Sequence, residues 1–335
     1  MTAKPVKVGV VGLGVGENHV ATYRGLEAVE VRAICDRDPE RLNQVGDRHG
    51  LARRFTDYRK VTEDPEIDVV SICSYDEAHA EQVISAFRHG KHVMVEKPLA
   101  LFRRDAEAIL RAQQDSGKLI TSNLILRSSP RFAALKRMIE AGEFGDIFYL
   151  EGDYIHDILW KITEGWRGRQ EFYCVTFGGG IHLIDLMRWL LGDEVVEVNG
   201  MGNKLLTRDS AYPFPDTIVN LLRFGRGAIA KTMTTFGPKR PQFHALNLFG
   251  TELSFVNGVP DATLYDGDKL ENAQPMKVPY PAYEKGALLP EFIAAVREGR
   301  EPEVSARDVF RVMDICFAAW ESVQAGRTVK VSYLI

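Results

Sequence analysis

Five short apolar runs alternating with amphipathic stretches open this chain of 335 residues. The runs cover 6–11, 29–35, 68–73, 92–96 and 119–122, and helical spacing fills 17–26, 39–49, 77–89 and 103–116 between them. A strand that is apolar at nearly every position has to be covered on both faces, and strands separated by helices pair in parallel. With right-handed crossovers the result is a doubly wound parallel sheet. Beyond residue 123 the pattern changes. A helix over 131–141 leads to an alternating strand at 147–154, and a long polar and aromatic loop precedes a helix at 181–191. Strand candidates 195–201, 217–224, 228–235, 245–249 and 252–256 then follow one another, some joined by glycine turns, and helices over 284–298 and 306–325 end the chain. Strand after strand predicts a mostly antiparallel sheet. The expected fold class is α/β: a doubly wound domain over 1–123 and a second α/β domain over 124–335 with a large open-faced sheet. The two are expected to be closely apposed with a cleft between them.

The net charge of −4 gives no global basic field, which argues against nucleic acid as a partner. No apolar run is long enough to span a membrane, and the start MTAKPVKVGVVG lacks a signal peptide's apolar core. Cys35, Cys73, Cys174 and Cys316 are scattered without metal-type or redox-type pairing, and no His, Asp and Glu spacing suggests a metal. A reducing cytoplasm is the expected location.

The first strand runs into Gly12-Leu13-Gly14-Val15-Gly16. Glycines there let the backbone turn tightly and approach a pyrophosphate, while the helix that follows offers free N–H groups and the positive end of its dipole. The usual spacing is G-x-G-x-x-G; here the third glycine comes one place early and Glu17 holds its position. The plainer alternative is an ordinary glycine-rich turn. Context favours the dinucleotide reading, because Asp36 ends the second strand about twenty residues on, where an acid takes both ribose hydroxyls. The alternative for Asp36 is a helix cap. Its charge repels a 2′-phosphate and selects NAD, whereas Arg37 beside it could pair with that phosphate and admit NADP.

Glu96-Lys97-Pro98 stands at the carboxyl end of the strand at 92–96, the edge at which doubly wound sheets bind ligands. A lysine there can hold a substrate oxygen and stabilise its developing negative charge. A solvated lysine is the plainer alternative. Ser74 and His79 follow the strand at 68–73, near the same edge. For His79 a core or capping place is the simpler reading. The candidate cofactor contacts are therefore Gly12, Gly14, Val15, Gly16, Asp36, Arg37, Ser74, His79, Glu96 and Lys97.

Gly12-Leu13-Gly14, Cys35-Asp36-Arg37-Asp38-Pro39-Glu40-Arg41, Gly90-Lys91-His92-Val93, Glu96-Lys97-Pro98 and Gly178-Gly179-Gly180 leading to His182-Leu183-Ile184-Asp185 give the chain its likeness. It resembles the glucose–fructose oxidoreductase, inositol dehydrogenase and rhizopine-catabolism (Gfo/Idh/MocA) family over nearly its whole length. The resemblance implies a Rossmann domain and an open-faced α/β domain whose sheet makes homodimers or homotetramers. It also implies Lys97 at the nicotinamide, touching the reacting hydroxyl, and substrates that are sugars, cyclitols or nucleotide sugars.

His182 is expected near the start of a helix opened by a glycine-rich loop, where an imidazole suits proton transfer at neutral pH. A cap or core histidine is the plainer alternative, and the resemblance favours catalysis. Asp185, three residues on, could orient the imidazole or simply be a solvated or capping acid. The family commonly carries an aspartate four residues before this histidine; here that place is Gly178. Tyr173 or Tyr154 is expected to share the acid/base work. The loop over 155–180 holds His156, Trp160, Lys161, Trp166, Arg167, Arg169 and Tyr173, rings for stacking on sugars and cations for anions. Arg127 is expected on a strand crossing between the domains, facing the substrate. The candidate substrate contacts are Lys97, Arg127, Tyr154, Trp166, Arg167, Tyr173, His182 and Asp185.

The expected activity is reversible hydride transfer between nicotinamide and a secondary hydroxyl or keto carbon, with Lys97 holding the oxygen and His182 moving its proton. The cationic loop suggests a phosphorylated or nucleotide-linked sugar. Two rivals stand beside it: a non-catalytic dinucleotide-binding regulator on the same fold, and a glycoside hydrolase that uses NAD for transient oxidation.

Overall fold

A computed structural model describes residues 4–280 and 284–335. The chain forms two compact units. Unit 1 holds the described residues up to Ile125 together with Glu284–Arg311 and Leu334–Ile335; unit 2 holds those of Leu126–Tyr283 and Val312–Tyr333.

Unit 1 alternates β1 (Val6–Val11), α1 (Gly16–Arg24), β2 (Val29–Cys35), α2 (Pro39–Arg48), β3 (Arg54–Phe55), α3 (Arg59–Thr62), β4 (Val69–Ile72), α4 (His79–Arg88), β5 (His92–Val95), α5 (Arg103–Ser116) and β6 (Ile120–Ser122). The six strands are all parallel in the order β3-β2-β1-β4-β5-β6, the doubly wound Rossmann arrangement with its switch point between β1 and β4. Val8, Val10, Ile34, Val69, Val70, Ile72, Val93, Met94 and Val95 are buried completely, as helices on both faces require.

Unit 2 begins with α6 (Pro130–Glu140), whose Pro130 sits in the first turn where its missing N–H costs nothing. It continues through β7 (Ile147–Ile155), α7 (Trp160–Thr163), α8 (Ile181–Leu191), β8 (Val195–Asn203), β9 (Thr217–Phe224), β10 (Ile229–Thr235), β11 (Phe243–Gly250), β12 (Ser254–Val256), β13 (Ala262–Tyr265) and β14 (Gln274–Met276). The chain returns to unit 1 for α9 (Leu289–Glu298) and the first residues of α10 (Ala306–Ala325), and the rest of α10 and β15 (Val329–Lys330) belong to unit 2. The nine strands lie in the order β14-β13-β12-β11-β7-β10-β9-β8-β15, antiparallel except where β7 and β10 run in parallel. One face of β7 is covered: Leu150 and Tyr154 are buried, and Gly152 makes room for Leu183 and Met187 of α8. The other face carries Glu151, Asp153 paired to Lys231 at 2.8 Å, and the exposed Leu221 and Ile229 of neighbouring strands.

Three expectations need correction. The glycines at 178–180 do not form a loop; Thr176–Gly180 is a π-helical turn that runs into α8. Arg127 lies in a 3-10 turn, Ile125–Ser128, not on a strand. The helix expected from residue 284 starts at Leu289, with Pro290 in its first turn.

Candidate active site

The glycine segment of unit 1 is shaped by close approach. Gly12 has φ +84°, and a Cβ there would stand 2.5 Å from the Ser74 backbone nitrogen and 2.6 Å from the Cys73 carbonyl. Only glycine fits both the dihedral and the space. A Cβ on Gly14 would meet nothing within 4 Å, so the backbone there is open to a ligand. Gly16 starts α1, and its Cβ would lie 3.1 Å from both Cys73 and Val10. It therefore performs the helix–strand packing of the third glycine, one residue earlier than the usual spacing. No side chain caps α1 at Val15; the Asn18 N–H donates to the Val15 carbonyl at 3.0 Å, and the N–H groups before it are the ones an anion would take. Glu17 turns to Arg48 and His49, on the exposed side. These features fit a bound pyrophosphate.

Asp36 is buried and fixed to the same segment. One carboxylate oxygen accepts from the Leu13 N–H at 2.7 Å and the other from the Asp38 N–H at 2.9 Å. The cap of α2 is Asp38 itself, which accepts from the N–H groups of Glu40 and Arg41. Arg37 is exposed, its guanidinium lying 4.1 Å over the Tyr75 ring. Ser74 donates its hydroxyl to Gln82 at 2.7 Å, leaving its backbone against Gly12. His79 is wholly buried, with Nδ1 2.7 Å from the Pro98 carbonyl oxygen and Nε2 3.2 Å from that of Ser74. It braces two strand ends from within the core.

Lys97 follows β5, half-buried, with a cis peptide bond to Pro98. Glu96 does not present its carboxylate to the ligand edge. It accepts from Asn123 Nδ2 at 2.6 Å and faces the Nε2 of His19 at 3.3 Å. Sequence reasoning passed over His19. Its only local signal is its place on the helix that opens at Gly16.

In unit 2 the triple glycine marks three side chains pressing on one helical turn. The hydroxyl of Tyr173 fills the space a Cβ on Gly178 would take, the ring of Tyr154 that of Gly179, and Thr234 that of Gly180. His182 follows, buried, its ring stacked with Tyr154 at 6.4 Å and 22° and met edge-on by His244 at 5.8 Å. Tyr154 is the hub: His244 lies opposite it across the β7–β11 ladder with ring centroids 5.2 Å apart, and its hydroxyl is 3.2 Å from His156 Nδ1. Burial pushes the Tyr154 phenol far above its usual range, against the opposing pull of Arg167, so it stays protonated at neutral pH. Tyr280 completes the cluster, its hydroxyl 3.0 Å from His244 Nδ1. His244 and Tyr280 were not foreseen; strand register places His244 opposite Tyr154, and sequence alone does not supply register.

Arg127 and Asp185 do meet, but as partners of each other. The guanidinium grips the carboxylate at 2.9 and 2.5 Å with both groups almost fully buried, and Arg188 stands 3.9 Å away. Asp185 is thus neither a solvated acid nor a cap. Trp166 and Arg167 share a 3-10 turn, with the Arg167 guanidinium over the rings of Trp166 at 4.3 Å and Tyr173 at 5.8 Å. Among the described residues no group of three or more His, Cys, Asp and Glu is placed to hold a metal. No helix among them is long and apolar enough to cross a membrane.

The model of an oxidoreductase family with an NAD-binding Rossmann fold matches residues 6–124, and that of the GFO/IDH/MocA C-terminal domain matches 132–256. The chain is 26% identical to myo-inositol 2-dehydrogenase of Thermotoga maritima, over 98% of this chain and 100% of that protein. It is also 26% identical to D-apiose dehydrogenase of Paraburkholderia graminis, over 99% of this chain and 92% of that one. Levoglucosan dehydrogenase, solved in complex with NADH, superposes with a TM-score of 0.88 at 24% identity, covering 99% of this chain and 100% of that one. An oxidoreductase domain protein from Kribbella flavida gives a TM-score of 0.89 at 22% identity, over 98% of this chain and 100% of that one.

Proposed function

This chain belongs to the Gfo/Idh/MocA family of NAD-binding oxidoreductases, and from that premise we propose that it oxidises a secondary hydroxyl of a sugar or cyclitol ring, or reduces the corresponding ketone. The observation that carries the reading is the shared carboxyl edge of unit 1, where the Gly12 turn and Lys97 both lie. Relatives named for inositol, apiose and levoglucosan support a neutral polyhydroxylated substrate. The cations bear on the same choice. Arg127 is held by Asp185 and Arg167 lies over aromatic rings, which weakens the case for a phosphorylated or nucleotide-linked sugar.

When bound, NAD supplies the hydride acceptor at its nicotinamide ring. The Lys97 ammonium is assigned to the reacting oxygen, where it stabilises negative charge as the proton leaves. His182 is assigned to that proton. Its ring plane is fixed by Tyr154 and His244, so the imidazole need not reorganise during transfer. Tyr173, filling the space beside Gly178 one turn earlier, takes the orienting position in place of a carboxylate. Asp36 is assigned to the ribose, which favours NAD over NADP.

The test is a screen of inositols, pentoses, hexoses, anhydrosugars and nucleotide sugars with NAD and with NADP, following absorbance of the reduced cofactor. Turnover of an uncharged ring, lowered about 10²- to 10³-fold by Lys97→Ala with NADH affinity kept, is the expected result. Tight NADH binding with no turnover of any substrate would favour the regulator, and net glycoside cleavage without accumulation of NADH the hydrolase.

A further inference from the structure

The most heavily engaged titratable group of unit 1 that no assigned role uses is His19. It lies one turn into α1, the helix that opens at Gly16, and it is completely buried. Both ring nitrogens face polar partners from other elements. Nδ1 is 2.7 Å from the Ser71 hydroxyl of β4 and 3.3 Å from the Cys73 thiol; Nε2 is 3.3 Å from the Glu96 carboxylate after β5. Tyr23 of its own helix meets the ring edge-on at 6.5 Å. Glu96 is tied onward, since Asn123 donates to it and to the Lys285 carbonyl, and the charge of Lys285 also reaches Glu96.

We propose that His19 is a positioning residue: through Glu96 it locks the start of α1 to the strand end that carries Lys97, so the phosphate-binding turn and the lysine hold one fixed spacing. The proposal rests on reading unit 1 as the dinucleotide domain and Lys97 as its reactive-edge group. A core histidine that merely filled space would be neutral and lodged among apolar groups. Here burial works against the charge, yet the Cys73 and Glu96 partners outweigh it and raise the imidazole to about 10, while Glu96 is held down to about 2. Each partner therefore favours the charged form of the other. Burial also rules out direct contact of His19 with a substrate. Lys97 is joined to Glu96 by one peptide bond, so a displacement of the backbone at Glu96 reaches the lysine.

Removing one partner leaves the other as an uncompensated buried charge, whereas removing both does not. The variants are His19→Gln, Glu96→Gln and the double His19→Gln/Glu96→Gln, each checked by circular dichroism for a wild-type fold. The probe is NADH, titrated by fluorescence from pH 6 to 8.5. Wild type is expected to bind with little pH dependence. His19→Gln is expected to bind about tenfold more weakly, increasingly so at higher pH as the stranded Glu96 ionises. The double variant loses the stranded charge without regaining the link, so its NADH affinity stays below wild type while the pH dependence disappears. A second readout follows Lys97 itself, by carbon-13 signals of labelled lysine assigned with Lys97→Arg. Its titration shifts by about half a pH unit in His19→Gln. Wild-type NADH affinity and an unmoved Lys97 titration in His19→Gln would overturn the proposal while leaving the dehydrogenase reading standing. A wild type that fails to bind NADH removes that reading and this proposal together.

Discussion

The phenol oxygen of Tyr173 occupies the volume in which a side chain at Gly178 would begin. Any residue larger than glycine at 178 and the tyrosine at 173 exclude each other. Gly178→Ala is therefore expected to cost about 1–3 kcal/mol by overpacking. In a Tyr173→Ala background the same substitution should cost almost nothing. Urea unfolding of the two single variants and the double measures the coupling; additive losses would show that the two positions do not compete.

Arg127 and Asp185 form a two-pronged pair that is nearly closed to solvent. Arg127→Ala or Asp185→Ala alone strands a buried charge and should lower stability by about 3–5 kcal/mol. Arg127→Met with Asp185→Leu removes both charges and should recover most of it. Thermal unfolding in low and high salt checks this. Because the pair is buried, added salt should change the wild-type value little.

Asp36 accepts from the buried Leu13 N–H and from Asp38, so its role in the turn is separable from its charge. Asp36→Ala should cost about 1–3 kcal/mol through the orphaned N–H. It should also weaken NADH binding and narrow the preference over NADPH. Asp36→Asn keeps an acceptor for Leu13 and should retain most of the stability while losing the discrimination. Parallel titrations with both reduced cofactors separate the two effects.

His92 supplies an acid-sensitive site. Its Nδ1 accepts from the Leu119 N–H at 3.2 Å, which requires the unprotonated ring, and burial together with nearby Lys118 pulls its pKa from 6.5 to about 4. Between those values the unfolded chain binds the proton more readily than the fold does, so stability falls as pH drops through that window and this contribution is flat above it. His92→Gln, which keeps an acceptor, should flatten the wild-type slope between pH 4.5 and 6.5 in Tm measurements. Identical slopes would remove His92 as its source.

The doubly wound sheet was legible because its strands are covered on both faces. The runs at 6–11 and 29–35 coincide with β1 and β2, where Val, Ile, Ala and Cys fill most of the buried positions. The short strands β3, β13, β14 and β15, all but β13 at sheet edges, carry no such signal and were not anticipated. The glycines at 178–180 read as a loop in the sequence because close approach by Tyr173, Tyr154 and Thr234 leaves the same mark there as a turn does. Lys97 and His182 could be singled out from their positions beside strand and helix ends. His19 with Glu96, His244 with Tyr154, and Arg127 with Asp185 could not, because each pair is joined only by tertiary packing between segments far apart along the chain.

Strand β7 spans Ile147–Ile155, yet its two neighbours, β10 and β11, come from Ile229–Thr235 and Phe243–Gly250. During synthesis both hydrogen-bonding edges of β7 stay bare until Thr235 has emerged, and the β11 edge until Gly250 has, so this unit has to form late. A nascent chain halted before that point would expose a ready template for pairing with other chains, which makes this stretch of translation the period of greatest dependence on chaperones.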